Sequence, residues 1–284
     1  MNGFLNLYKP SGMSSAYALN VIKKQFKGIK MGHMGTLDPL ASGVLPVAFG
    51  KSTRLFDFLL DKNKTYIAEF TFGYETDTLD RGGKVIKQSN FLPTKEDILG
   101  VLNKLVGEIE QMPPSFSAKN VNGKRSYELA RLGIEVELKP KKVVITSIEL
   151  IEKTGENAYT FVIKCKGGTY IRSICRDLAY MLNTTATMTS LERVESGVFT
   201  KQNAYSLEEI QSNFDKEKMF ISPEKVISFP VINLDNLQTL DVLNGRDFTL
   251  DFNDGVYKVY GNDEFIGVGI LNDKKLKIKA FIKD

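Results

Sequence analysis

The 284-residue chain has no tryptophan, one histidine (His33) and two cysteines (Cys165 and Cys175). The cysteines do not form a C-x-x-C pair, and one histidine cannot complete a zinc site with them. Two thiols suit a reducing compartment and supply no disulfide framework. Cys175 sits at an apolar helical position and reads as core. A lone histidine with no Ser or Cys partner motif argues against Ser-His-Asp and Cys-His hydrolases. The glycines follow neither the G-x-G-x-x-G nor the G-x-x-x-x-G-K-[ST] pattern, so neither a dinucleotide fold nor a P-loop is indicated. DTLDRGG at 77–83 has a faint likeness to a calcium loop, but the spacing fails and the closing Glu is missing. No run approaches the ~18 apolar residues of a membrane span. The opening MNGFLNLYKPSG lacks the charged-then-apolar pattern of a secretory signal. These absences predict a soluble cytoplasmic protein with no metal and no redox or nucleotide cofactor.

Hydrophobic residues make up 42% of the chain, enough for a sizeable core, and the charged fraction is 25%. The length fits one large domain with a small appendage. Lys plus Arg is 38 against 34 Asp plus Glu, a formal +4. That excess permits a polyanionic partner without demanding one, because a basic footprint depends on how charges cluster.

Ser14 and Ser15 are candidate caps for a helix running to about Lys27, with Leu19, Ile22 and Phe26 on one face and Gly28 as its stop. The glycine- and proline-punctuated stretch 28–50 predicts loops and short strands, with a helix following at 52–61. Residues 64–74 alternate strictly, placing Tyr66, Ala68, Phe70, Phe72 and Tyr74 on one strand face. Thr94 with Asp97 forms a capping pair ahead of Ile98, Val101, Leu102 and Leu105 at helical spacing. Strands are expected at 143–152 and 158–166, and a helix after Gly167–Gly168. Ile171, Ile174, Cys175, Leu178 and Leu182 form its buried stripe, with Arg172 and Arg176 off that stripe. The pattern reads as α+β: a mixed, largely antiparallel sheet core with flanking helices. After about Phe220 the chain turns to short strands punctuated by Gly255, Gly261 and Gly267. This predicts a small β-rich, barrel-like module joined through the polar stretch 211–224, and hence domains at 1–222 and 223–284.

Taken locally, GHMGTLDP at 32–39 is ambiguous. Asp38 before Pro39 suits a turn opener or a cap as well as it suits a reactive carboxylate. His33 suits a structural role, Tyr66 a core-facing aromatic and Arg172 an exposed helix face. What remains is a carboxylate in a glycine-rich loop, aromatics on an alternating strand, and arginines at a helix start.

These segments together resemble a known family. GHMGTLDPLASGVLPVAFGKSTR at 32–54 is similar to the catalytic motif of the TruB-type pseudouridine synthases, which modify the T-loop uridine at position 55 of tRNA. NLYKPSGMSS at 6–15, KTYIAEFTFGYETDTLDRGG at 64–83 and QMPPSFSAKNVNGKRSYELARLG at 111–133 resemble further motifs of the family. So do GGTYIRSICRDLA at 167–179 and LERVESGVF at 191–199. Six ordered blocks make the match specific. The tail from about 225 resembles the small PUA-like RNA-binding domain of the bacterial members. Two departures are visible: the family's Ser-Ala-apolar-Lys reads Ser117-Ala118-Lys119-Asn120 here, and Met34 stands where Thr is commoner.

The resemblance implies isomerisation of uridine to pseudouridine without cofactor, metal or second substrate. It implies tRNA, through its T-arm, as partner, and a monomer acting without a protein partner. A contribution to tRNA folding is compatible with it, and a guide-RNA-dependent synthase or a non-catalytic RNA-binding protein are the competing classes. It assigns Asp38 as the essential carboxylate and Arg172 as the arginine that pairs with it, expected to hold it bidentately. It places Tyr66 against the flipped uracil and His33 in the space that the base vacates, where stacking is worth ~1–3 kcal/mol. Tyr170 and Leu191 would line the uracil pocket. Lys9 and Pro10 would brace the catalytic loop, and Lys119, Lys124, Arg125 and Arg131 form a basic cluster open to phosphate contact.

Overall fold

The computed structural model describes residues 1–59, 62–116, 120–121, 124–125, 138–246 and 248–283. Lys119 and Arg131 of the basic cluster, and the side chains of Asn120, Lys124 and Arg125, lie outside the described residues.

Strand β1 (Gly3–Lys9) leads into helix α1 (Ser15–Lys23), the short β2 (Met31–His33) and β3 (Ser42–Phe49). A 3-10 helix, Gly50–Phe58, precedes β4 (Lys64–Phe72). The hairpin β5 (Tyr74–Thr76) and β6 (Val85–Gln88), helix α2 (Lys95–Leu102) and β7 (Gly107–Gln111) follow. A short ladder, β8 (Asn120–Val121) with β9 (Lys124–Arg125), comes before the long pair β10 (Lys141–Lys153) and β11 (Ala158–Cys165). Helix α3 (Ile171–Met181), β12 (Ala186–Ser196) and β13 (Phe199–Thr200) come next. Then come α4 (Leu207–Ser212), α5 (Lys216–Met219), β14 (Phe220–Ile221) and α6 (Pro223–Val226). The tail holds β15 (Val231–Leu234), α7 (Asn236–Leu243), β16 (Gly255–Gly261), β17 (Glu264–Asn272) and β18 (Lys275–Phe281).

The main sheet runs β14-β1-β3-β12-β4-β11-β10-β7, with β2 added to β3 and β13 to β12. It is mixed and largely antiparallel: β3 and β12 are parallel and the other pairs antiparallel. The alternation holds over 64–72, where Tyr66, Ala68, Phe70 and Phe72 face one core while Ile67, Glu69 and Thr71 do not; Gly73, at φ +104°, ends the strand, and Tyr74 begins β5 instead of sharing that face. Ala18, Leu19 and Ile22 of α1, Ile98 and Leu102 of α2, and Ile174, Cys175 and Leu178 of α3 cover that face. Each of the leucine and isoleucine side chains, fully buried, contributes ~1.5–3 kcal/mol. The thiols of Cys165 and Cys175 are buried here, and burial pushes Cys165 up to about 11.

The opposite face of β1 and β3 carries a second core. Phe4, Val44 and Ala48 meet Leu55 of the 3-10 helix and Val268, Ala280 and Ile282 of the tail. The tail sheet, β15-β16-β17-β18, encloses a third cluster of its own around Ile232, Val259 and Leu271.

Four expectations need correction. The first helix ends at Lys23 rather than Lys27; turns continue to Gly28, whose φ of +79° closes the segment. Phe26 still packs, edge-on, against Phe49 and Phe214. The segment at 52–61 is a 3-10 helix, starting two residues earlier and ending at Phe58. The stretch 211–224 is folded rather than a linker: β14 extends the main sheet beside β1, and Phe214 and Phe220 stack on each other and on Phe26 and Phe49. Helix α7 was not expected, because Leu237, Leu240 and Leu243 face solvent and leave no buried stripe to read.

Candidate active site

The catalytic-motif loop, residues 34–41, is held from several sides. Its start is fixed by Met34 N–H donating to Pro46 O (2.9 Å). Ser15 Oγ brackets Leu37, accepting from its N–H and donating to its C=O, each at 2.8 Å. Gly12 N–H donates to Pro39 O (2.8 Å), and Ser11 Oγ to Leu40 O (2.6 Å). Buried Lys9 donates to Pro10 O (2.9 Å) and Met13 O (2.7 Å), bracing this loop-holding segment as expected. Burial pulls the Lys9 ammonium down to about 8, against the opposing charge of Asp38. The opening motif at 6–15 and the loop around Asp38 are thus one hydrogen-bonded unit.

Asp38 and Arg172 meet, with Arg172 Nε 3.0 Å from Asp38 Oδ2. The Asp38 side chain keeps 35% of its surface open, whereas that of Arg172 keeps 6%. Two expectations change here. Arg172, off the apolar stripe as read, is buried rather than exposed, and it does not grip Asp38 with a two-pronged fork. Its remaining donors go elsewhere: Nη1 to Thr78 O (2.9 Å) and Nη2 to Phe116 O (2.9 Å), with Asp80 Oδ2 3.8 Å from Nη1. Partial burial raises the Asp38 carboxyl above the usual carboxylate range. Arg172 and Lys9 pull it down, and the charge of Asp80 pushes it up.

Asp80 escaped the sequence reading because DTLDRGG read only as a failed calcium loop. The signal was conformational. Leu79 is buried at φ +62°, a region costly for a branched side chain. Exchange of backbone bonds with Met188, Met188 N–H to Leu79 O and Arg81 N–H to Met188 O, holds it there. Thr78 Oγ1 and Gly82 N–H then fix the Asp80 carboxylate at 2.8 and 2.9 Å.

The other predicted residues lie on β2, β4, β12 and the turn before α3. Tyr66, 7% exposed, lies on β4 directly opposite Arg193 of β12. Burial pushes its phenol up, Arg193 draws it down by charge and hydrogen bond, and the Asp38 charge reaches the same group. Leu191, also 7% exposed, stands opposite Ala68 and shares a core with Tyr66. Tyr170 precedes α3, and its backbone is clasped by the buried Gln111 amide, which accepts from Tyr170 N–H (2.8 Å) and donates to its C=O (3.1 Å). His33 ends β2 opposite Val47, half-buried, five residues before Asp38. Arg193 and Gln111 were not singled out in the sequence, and Ser15 was read there only as a helix cap; each bonds backbone carbonyls or amides, which leave no mark in residue spacing.

The arrangement presents one partly open carboxylate whose ionised form a buried guanidinium favours against the effect of burial, with the Tyr66 phenol within reach of its charge. Such a site can attack or deprotonate a flat, uncharged ring held over it.

The model of the TruB family pseudouridylate synthase N-terminal domain matches residues 23–171, and that of the tRNA pseudouridylate synthase B C-terminal domain matches residues 172–228. The chain belongs to the TruB family of pseudouridylate synthases. It is 39% identical over 284 residues to tRNA pseudouridine synthase B of Caldanaerobacter subterraneus subsp. tengcongensis, covering 98% of both chains. It is 40% identical to that of Clostridium tetani, again over 98% of both, and 42% identical to that of Rickettsia bellii over 85% of this chain and 81% of that one. Among solved structures, the fold matches a chain of a Cbf5-Nop10-Gar1 complex with TM-score 0.73 at 24% identity, over 99% of this chain and 84% of that one. No described helix is long and apolar enough to cross a membrane.

Proposed function

We propose that the chain isomerises the T-loop uridine at position 55 of tRNA, with Asp38 as the essential carboxylate. The reaction breaks the uracil N1–C1′ bond, turns the base and rejoins it through C5, so no atom is gained or lost. Asp38 carries the proposal: of the two carboxylates paired to buried Arg172 among the described residues, it is the nearer and the more open, 35% exposed against 13% for Asp80. Attack on sugar or base and removal of a sugar proton all require its ionised form, which Arg172 favours. The target lies inside a folded loop and must be flipped out of its stack. Tyr66 then stacks on the uracil, Leu191 and Tyr170 line its pocket, and His33 fills the vacated space.

The nearer competitor is guide-RNA-dependent modification. Relatives about 40% identical over nearly their whole length carry the tRNA synthase name, which favours a protein acting alone, as a monomer, in the cytoplasm. Residues 223–284 serve in this reading as a PUA-like module gripping RNA beyond the T-arm, and the enzyme can assist tRNA folding as it binds. The test is to incubate purified chain with an unmodified tRNA transcript and map pseudouridine. Product at position 55 without other proteins or RNA is expected. Product elsewhere, or only with an added guide, overturns the proposal.

A further inference from the structure

The catalytic-motif block at 32–54 ends in Gly50-Lys51-Ser52-Thr53-Arg54, a segment that the site around Asp38 does not use. It lies where the tail meets the catalytic domain. Three side chains of the catalytic domain donate to three consecutive backbone carbonyls of the tail. Arg54 Nη1 donates to Phe281 O (3.0 Å), Asn2 Nδ2 to Ile282 O (2.9 Å) and Lys51 Nζ to Lys283 O. Asn2 also ties the segment to the start of the chain, its Oδ1 accepting from Lys51 N–H (2.8 Å). Gly50, at φ +60°, permits this closure: a Cβ there would sit 2.3 Å from Asn2 Oδ1.

The carbonyls that accept these bonds belong to a fixed element. Ile282 N–H and Lys283 N–H both donate to Ile266 O of β17, at 2.8 and 3.2 Å. Ile282, 4% exposed, shares the second core with Val268 and Ala280 of the tail and with Phe4, Ala48 and Leu55. A joint held by apolar contact alone could slide, since burial has no direction. Hydrogen bonds to successive carbonyls fix one register. What the joint aims is β18, an edge strand of the tail sheet. Lys275, Lys277 and Lys279 are exposed along it, and none of the three is ion-paired among the described residues.

We propose that Asn2, Lys51 and Arg54 are positioning residues for the choice of substrate: they lock the tail to the catalytic domain in one register, so that the β18 lysines and Asp38 engage one tRNA at a fixed separation. The inference rests on the reading above, in which the tail grips RNA beyond the T-arm. Once the T-arm is seated, a tail held at the right separation meets its part of the RNA as an intramolecular event, and the effective concentration falls if the tail can wander. The joint therefore favours whole tRNA over an isolated T-arm.

The test measures filter binding, and single-turnover rate at saturating enzyme, on whole tRNA and on an isolated T-arm hairpin. Asn2→Ala/Ile282→Ala removes joint contacts without altering charge. It should bind whole tRNA about 10-fold more weakly, while its hairpin affinity and both saturating rates stay near those of the parent. Lys51→Gln/Arg54→Gln should do the same, and it decides if the first variant does not fold. Parent affinity for whole tRNA in a folded variant would overturn the proposal. So would an equal loss on hairpin and whole tRNA, which would make Lys51 and Arg54 direct RNA contacts. Replacing Lys275, Lys277 and Lys279 together by glutamine leaves the joint intact and tests the tail reading separately. That variant should lose affinity for whole tRNA alone; an unchanged affinity would overturn the tail reading and the proposal with it. Failure of the position-55 reading would show apart from both, as a parent chain that leaves both RNAs unmodified.

Discussion

Replacing Arg172 by lysine keeps the charge and removes the planar fork, so it isolates what the fork does. The guanidinium meets four acceptors: Asp38 Oδ2 at 3.0 Å, Thr78 O and Phe116 O at 2.9 Å each, and Asp80 Oδ2 at 3.8 Å. Its Nε, Nη1 and Nη2 serve different partners. A lysine head has three hydrogens on one nitrogen and cannot reach acceptors at opposite edges of the guanidinium. At least one buried carbonyl is left unpaired, at ~1–3 kcal/mol. If the head stays with the carbonyls, Asp38 swings free, and a misplacement of about 1 Å costs roughly 10²-fold in rate. The expected result is a single-turnover rate lowered roughly 10²- to 10³-fold, with tRNA binding little changed because phosphate contacts dominate it. The assay follows from the chemistry. A tRNA labelled with tritium at uridine C5 releases the label to water as C5 becomes bonded to C1′. A folded lysine variant working within a few-fold of the parent rate would refute the reasoning, and Arg172 would then be a strut rather than a partner of Asp38.

Asp38→Asn should lose at least about 10⁴ in rate, ~5.5 kcal/mol of transition-state stabilisation, while still binding tRNA in a filter assay; ready turnover, with deamidation excluded by mass spectrometry, would demote Asp38 to a turn residue. Burial already holds the Asp38 carboxyl high and Arg172 pulls it down, so Arg172→Gln should raise it further. Because the ionised form is the active one, rate is lost as pH falls through this group, and the acid limb of the rate profile should move to higher pH; an unmoved or lowered limb contradicts the assignment. Gly43→Ala should yield little folded protein, since the added Cβ would sit 2.2 Å from the Arg193 carbonyl at φ +108°; a melting temperature matching the parent would show that the parallel β3–β12 contact is looser than described.

Much of the frame was legible because it follows period. Strand β4 alternates, α2 opens with the Thr94–Asp97 capping box, and the apolar stripe of α3 is buried as read. The failures share a cause: a tertiary partner decided the outcome. Arg172 lies on a flank of α3 that is polar in sequence, yet the hairpin loop at 77–83 folds over it. The stretch 211–224 is polar enough to pass for a linker, yet Phe214 and Phe220 anchor it to Phe26 and Phe49. In the site, the pairing of Asp38 with Arg172 could be expected from family motifs. The roles of Asp80 and Arg193 needed the backbone, because strain at Leu79 and donation to Gly35 and Val44 have no periodic signature.

The hydrogen bonds that shape the site join Ser15 to Leu37, Thr78 to Arg172, and Arg193 to Gly35 and Val44. None of these partners is a near neighbour in the chain, which has a consequence for the protein during its synthesis. Ribosomes add roughly 5–20 residues per second, so Arg193 follows Asp38 out of the peptidyl-transferase centre by about 8–30 seconds. Throughout that interval the carboxylate exists without one or both of the arginines that would orient it or order its loop. Long-range pairings of this kind also form late in folding. A chain that ends before Arg193 is therefore expected to be inactive toward RNA, with activity arising once β12 is in the sheet. Turnover is consequently a readout of that strand's insertion, available without any spectroscopic label.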